Sequence, residues 1–421
     1  MKTLYVLLVA ALVLPFGLAA PPDVAAQVTT LRLFVGGQQR PDVMRQLLDQ
    51  YQAANPSVKV DLETGGATSE LQRQYLTTVL TSKDTSLDVF LIDIVNPAQY
   101  AASGWLEPLD SYLGAERDSL LKRYLPAYAT ADVVDGKVMA LPAFADAMFL
   151  YYRKDLLDKH GVKPPTTWEE LSASARKILQ AENNPNLQGV SFQGRAIEGA
   201  NCTFLVPYWG AGAELTTAGR IQIDQAAAQK AFGLWLDMMK SGVAPKNAAE
   251  VATDDTRREF QAGNVVFAVL WAYGWNHFQS ADSKVAGKVG VVPLPAFAGG
   301  QPVTCIGGWQ WAVSAFSRHR GEAARFIRWL SSPATSKFLA INASNLPIYP
   351  DVYKDADVLK VNAWFNQALP VVMTARSRPV SPRYPEVSDV IRSNVNAVIA
   401  GTKTPDDAIR DMQARLSRVF R

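Results

Sequence analysis

Apolar positions change their period along the chain, and each change marks an element. Residues 30–35 form an extended β-branched and leucine run that stops at Gly36-Gly37, after which Val43, Leu47, Leu48 and Tyr51 recur at helical spacing. Residues 58–62 alternate as a second strand and 71–80 read as a helix. Residues 87–94 are apolar except for Asp88 and Asp93, as a strand buried on both faces requires. Strand and helix in alternation predict an α/β fold with a doubly wound sheet, where ligands sit outside the carboxyl ends of the strands.

A further strand is predicted around 141–153. The helix after it has a marked start, because Thr167 follows Pro164-Pro165 and is itself followed three residues on by Glu170, a capping box. Helical spacing continues at 168–181, 225–241 and 255–262, strands at 265–270, 289–295 and 311–315, and the last third is almost wholly helical. Neither a repeat nor a low-complexity linker separates the halves. Two lobes without a linker are joined by several short crossings, which make a hinge. Segments 143–147 and 293–297 are the candidates.

Composition narrows the function. A chain of 421 residues exceeds the roughly 250–300 that one core serves, so two lobes are expected. Its 42 Lys+Arg against 39 Asp+Glu leave a charge of +3, too balanced for a protein that neutralises phosphates, and nucleic acid is excluded as a partner. Lys2, the apolar run 4–20 and small residues before Gln27 predict a secretory signal peptide over 1–26, the alternative being a retained membrane anchor. The rest is then periplasmic or extracellular. Cys202 and Cys305, the only two cysteines, either pair in that oxidising setting or are two buried small hydrophobes.

Catalytic signatures are missing. His160, His277 and His319 have no Cys or His neighbour at zinc spacing, and there is no G-x-S-x-G, Walker or G-x-G-x-x-G motif, so no metal or cofactor is expected. Aromatic density stands out instead: Trp271, Tyr273 and Trp275 in one stretch, and Trp309 and Trp311 after Gly307-Gly308. Such residues fill cores or offer a flat apolar face to a sugar ring, and paired glycines let backbone approach a ligand. Asp93 and Asp146 are candidate acceptors for sugar hydroxyls, or else N-caps and surface acids. Arg376 and Arg378 either donate to hydroxyls or are solvated.

With these residues in place the chain resembles the extracellular solute-binding proteins of ABC sugar importers, and within them the trehalose/maltose-binding proteins. The resemblance rests on DVFLID at 88–93, SGWLEPLD at 103–110, LYYRKDLL at 150–157, PPTTWEEL at 164–171, KVGVVPLP at 288–295, GGW at 307–309 and SPRYPEVSD at 381–389. It implies a two-lobed periplasmic-binding-protein fold with hinge crossings. One lobe is expected over 27–143 and 296–330, the other over 147–293 and 331–421. It implies a monomeric receptor without catalysis that passes a small carbohydrate to permease subunits. The family's hydroxyl-binding acids fall on Asp93 and Asp146, its stacking tryptophan on Trp271, its Gly-Gly-Trp contact on Gly307, Gly308 and Trp309, and its arginine on Arg378. A first-loop polar contact falls on Gln38 or Gln39. Thr64, Asn96 and Phe144 stand where the family carries an arginine, an aromatic and a tyrosine, so the framework is kept while selective donors are lost. If Cys202 and Cys305 are bridged, the bond lies near the hinge, since the two belong to different lobes. One competing reading keeps the receptor but gives it another solute, a polyol, a phosphorylated polyol or an oligopeptide. The other is a glycoside hydrolase using Asp93 and Asp146, weakened because nothing in the surrounding sequence raises either pKa.

Overall fold

The computed structural model describes residues 28–217 and 220–419; the expected signal segment lies outside them. Its principal elements are β1 (Thr29–Gly36), α1 (Pro41–Ala54), β2 (Val58–Gly65), α2 (Ser69–Thr81), β3 (Val89–Asp93) and β4 (Leu141–Arg153). There follow α3 (Trp168–Glu182), β5 (Gln188–Ser191), α4 (Glu198–Gly210), α5 (Gln225–Lys240), α6 (Thr253–Gln261), β6 (Val265–Trp271), α7 (Gly274–Phe278), β7 (Val289–Val292) and β8 (Ile306–Val313). The chain ends in helices, among them α8 (Arg320–Leu330), α9 (Pro333–Ala343), α10 (Tyr384–Ile399) and α11 (Pro405–Val419).

The strands are ordered β2-β1-β3-β8-β4-β6-β5, with β7 also paired to β4. In the first lobe β1 runs parallel to β2 and β3, and both its faces are covered. Leu31, Leu33 and Val35 pack with Leu47, Leu48 and Tyr51 of α1, while Phe34 packs with Leu76 and Leu80 of α2. The doubly wound expectation holds there and in the parallel β5–β6 pair, but the middle is antiparallel: β8 against both β3 and β4, and β6 against β4.

The candidate crossing at 143–147 falls inside the strand expected at 141–153. It is the middle of β4, whose residues 141–147 pair with β8 and whose residues 148–153 pair with β6 and β7. One strand thus serves both lobes, and eleven of its thirteen residues are buried. The strand expected at 311–315 begins earlier, at Ile306. The capping box forms as read, with Glu170 N donating to Thr167 Oγ1 at 3.1 Å and Thr167 N to Glu170 Oε2 at 3.3 Å. Helix α9 packs against α1, although the expected boundary at 330 assigns it to the second lobe.

Cys202, in α4, and Cys305, just before β8, are disulfide-bonded with Cα atoms 5.7 Å apart. Of the two sequence alternatives the bridge is the one formed, and Thr304 Oγ1 donates to Met148 O of β4 beside it. No helix among the described residues is long and apolar enough to cross a membrane.

Candidate functional site

The carboxyl ends of β1, β2 and β3 face the second lobe across a cavity of about 590 Å³, within the 300–1,000 Å³ usual for small-molecule sites. All nine residues picked out from the sequence line it: Gln38, Gln39, Asp93, Asp146, Trp271, Gly307, Gly308, Trp309 and Arg378. Of the three departures, Thr64 and Phe144 line it too. Asn96 lies outside the lining, its N–H bonded to Asp93 O at 2.8 Å. Trp275 and Trp311 lie outside the lining and pack in the core.

Asp146 sits in β4 opposite Gly307 of β8. Its Oδ1 accepts from Ala147 N and Ala272 N, both at 2.8 Å, and no hydrogen bond among the described residues reaches Oδ2. Tyr128 fixes this backbone: its hydroxyl accepts from Asp146 N at 2.9 Å and donates to Gly307 O at 2.7 Å. Burial pushes the Asp146 carboxyl from an ordinary value of 3.8 up to about 7, against the pull of the two amides. The expectation of unperturbed acids is thereby overturned, because the surroundings that shift Asp146 come from β6 and β8, remote in sequence.

Asp93 ends β3. Its Oδ1 accepts from Arg378 Nη2 at 3.0 Å and its Oδ2 from Ser69 Oγ at 3.0 Å. Burial raises its pKa more than Arg378 lowers it, with Glu198 adding to the rise. Arg378 is committed to carboxylates: Nη1 donates to Glu198 Oε1 at 2.7 Å, and only Nε lacks a partner among the described residues. Glu198 escapes the penalty of burial because Arg378, Ser388, Tyr384 and Asn201 all donate to it, and its pKa falls.

The two glycines act differently from the expectation. A Cβ on Gly307 would stand 2.5 Å from the Trp271 ring, and one on Gly308 2.6 Å from Tyr128 and 2.7 Å from Phe144 O. Gly308 also has φ 115°, a conformation open to glycine alone. They make room for the side chains that shape the wall, Trp271 above all.

Sequence reasoning missed Glu198 and Glu70. Glu198 opens α4 with no local motif, and its partner is 180 residues away. Glu70, on α2, has both oxygens buried with no hydrogen bond among the described residues and lies 4.0 Å from Arg392 of α10, and burial raises its pKa, with Glu198 adding to the rise. Its signal in the sequence is only an acid in a first helical turn.

A cleft between two sheets that share a strand, lined by indoles and carboxylates, is the arrangement of a two-lobed binding protein. Residues 37–337 match the model of the bacterial extracellular solute-binding protein family, and the chain belongs to that family. A probable ABC transporter-binding protein of Deinococcus radiodurans is 35% identical over 348 residues, 81% of each chain. T. maritima MalE3 with maltose bound is similar at 33% identity and a TM-score of 0.87, covering 92% of this chain and 99% of its own. A solute-binding protein of Agrobacterium vitis S4 with D-mannitol bound is 26% identical with a TM-score of 0.80, covering 93% and 98%. The protein is a solute-binding protein of the ABC transporter type.

Proposed function

We propose that this protein binds a small carbohydrate, a di- or oligosaccharide of the maltose or trehalose type, in the interlobe cavity and delivers it outside the cell to the permease of an ABC importer. The observation that carries the reading is Asp146, a buried carboxylate with one oxygen unpartnered, in the same cavity as Trp271 and Trp309. A carboxylate accepts from two hydroxyls, and an indole offers a flat face to the C–H side of a ring.

The nine lining residues named from the sequence are the proposed contacts, the two glycines acting by the room they leave. Thr64 and Phe144 replace charge-assisted and phenolic donors, which favours a ligand held by acceptors rather than donors. The maltose bound by MalE3 and the D-mannitol bound by the A. vitis protein support a ligand in the range from sugar ring to open-chain polyol. Export through the 1–26 segment belongs to the same proposal.

Tryptophan fluorescence titrated with maltose, trehalose, sucrose, mannitol and ribitol tests it, because two indoles line the cavity. A saturable change with at least one is expected, and silence across the panel rejects the reading. A hydrolase would also use the raised carboxyl of Asp146 as a general acid. The second acid it needs, Asp93, is engaged by Arg378 and Ser69, so binding is preferred. Release of nitrophenol from aryl glycosides, abolished by Asp146→Asn, reverses that preference.

A further inference from the structure

Three elements meet around Arg378. The segment carrying it runs beside the start of β8: Arg376 N donates to Thr304 O and Ile306 N donates to Arg376 O, each at 2.9 Å. The Arg378 guanidinium then reaches Glu198 at 2.7 Å, Asp93 at 3.0 Å and Ile306 O at 3.4 Å. It joins the first residue of α4 to the last residue of β3, from one lobe to the other.

The disulfide closes the third side of this triangle. Cys202 stands four residues after Glu198, one helical turn along the same face of α4. Cys305 lies between Thr304 and Ile306, the two residues whose backbone groups pair with Arg376. The bridge therefore ties the turn that carries Glu198 to the strand that holds the Arg378 segment.

The placement bears on ligand binding because Arg378 is only 3% exposed. A guanidinium buried between two carboxylates is favourable only when both are well aligned, and losing one partner leaves an uncompensated charge. If Glu198 shifts, Arg378 turns more fully onto Asp93 and takes up acceptor capacity in the wall of the cavity. We propose that Cys202–Cys305 and Glu198 form one positioning unit for Arg378 and Asp93, so that affinity depends on the bridge as well as on the residues that touch the ligand. This rests on the carbohydrate reading of the cleft.

The test is a cycle of variants. Calorimetry with maltose and with mannitol is run on the wild type, Glu198→Gln, Cys202→Ala with Cys305→Ala, and all three changes together, circular dichroism checking the fold of each. Glu198→Gln and the bridge-free variant should each bind about tenfold more weakly, and the combined variant no more weakly than Glu198→Gln alone, since perturbations within one unit are not additive. Full affinity in Glu198→Gln, full affinity in the bridge-free variant, or losses that multiply would overturn the proposal. A second reading needs no sugar: carboxyl carbon NMR of Glu198 should give a higher titration midpoint without the bridge, and an unchanged midpoint overturns the proposal. If the wild type binds neither sugar nor any other member of the panel, the carbohydrate reading fails while the NMR result still decides the positioning unit.

Discussion

Asp146 keeps one oxygen on the amides of Ala147 and Ala272 and leaves the other unpartnered at the cavity wall, with its pKa pushed up to about 7 by burial. A carboxyl raised above its unfolded value contributes stability that is fully present below about pH 4 and lost as pH rises through about 7. Ligand binding has the opposite sign. Hydroxyls donating to Oδ2 favour the charged form, so affinity should fall on acidification below about pH 7 and level off above it, a dependence that Asp146→Asn flattens. Kd measured between pH 5 and 8.5 checks this; tighter binding at pH 5 would contradict it. Gly307→Ala is expected to push the Trp271 ring aside, weakening binding about tenfold and destabilising the fold by about 1–3 kcal/mol, as titration and denaturant melts would record. Asp93, Trp271 and Gly307-Gly308-Trp309 were legible because each sits in a short motif, an acid closing an apolar strand, a tryptophan ending another, Gly-Gly-Trp; Gln38 and Gln39, and the choice of Arg378 over Arg376, came only from the family resemblance. Glu198 was not legible, since its meaning depends on Arg378 far along the chain.

At the scale of elements, the alternation of β1, α1, β2, α2 and β3 was readable because each side of the sheet has its own periodic helix. Helix α3 was readable from its cap, and Thr167→Ala should cost about 1 kcal/mol, seen as a lowered denaturant midpoint. The candidate crossing at 143–147 was named from its small residues, and it lies inside the thirteen-residue strand that the apolar run also marked. One feature was hidden. Strand β8 starts at Ile306, but Gly307-Gly308 reads as a loop until the neighbours that claim their Cβ space, Trp271 and Tyr128, are known.

Across the whole molecule, the polar contacts between the lobes include Asp93 with Arg378, Arg40 with Asn276, and Glu70 with Arg392. Closure must be favoured by contacts absent from the open form. Arg392→Ala removes one of these at the rim and is expected to weaken affinity about threefold to tenfold, with a larger radius of gyration by small-angle scattering at subsaturating ligand. The central claim is that a sugar or polyol is held in this interlobe cleft by Asp146. Calorimetry of maltose and mannitol binding to the wild type and to Asp146→Asn tests it most directly. The account predicts one-to-one binding of at least one of the two by the wild type and a loss of about a hundredfold or more in the variant; equal affinity in both proteins, or no heat from either sugar at millimolar concentration, would contradict it.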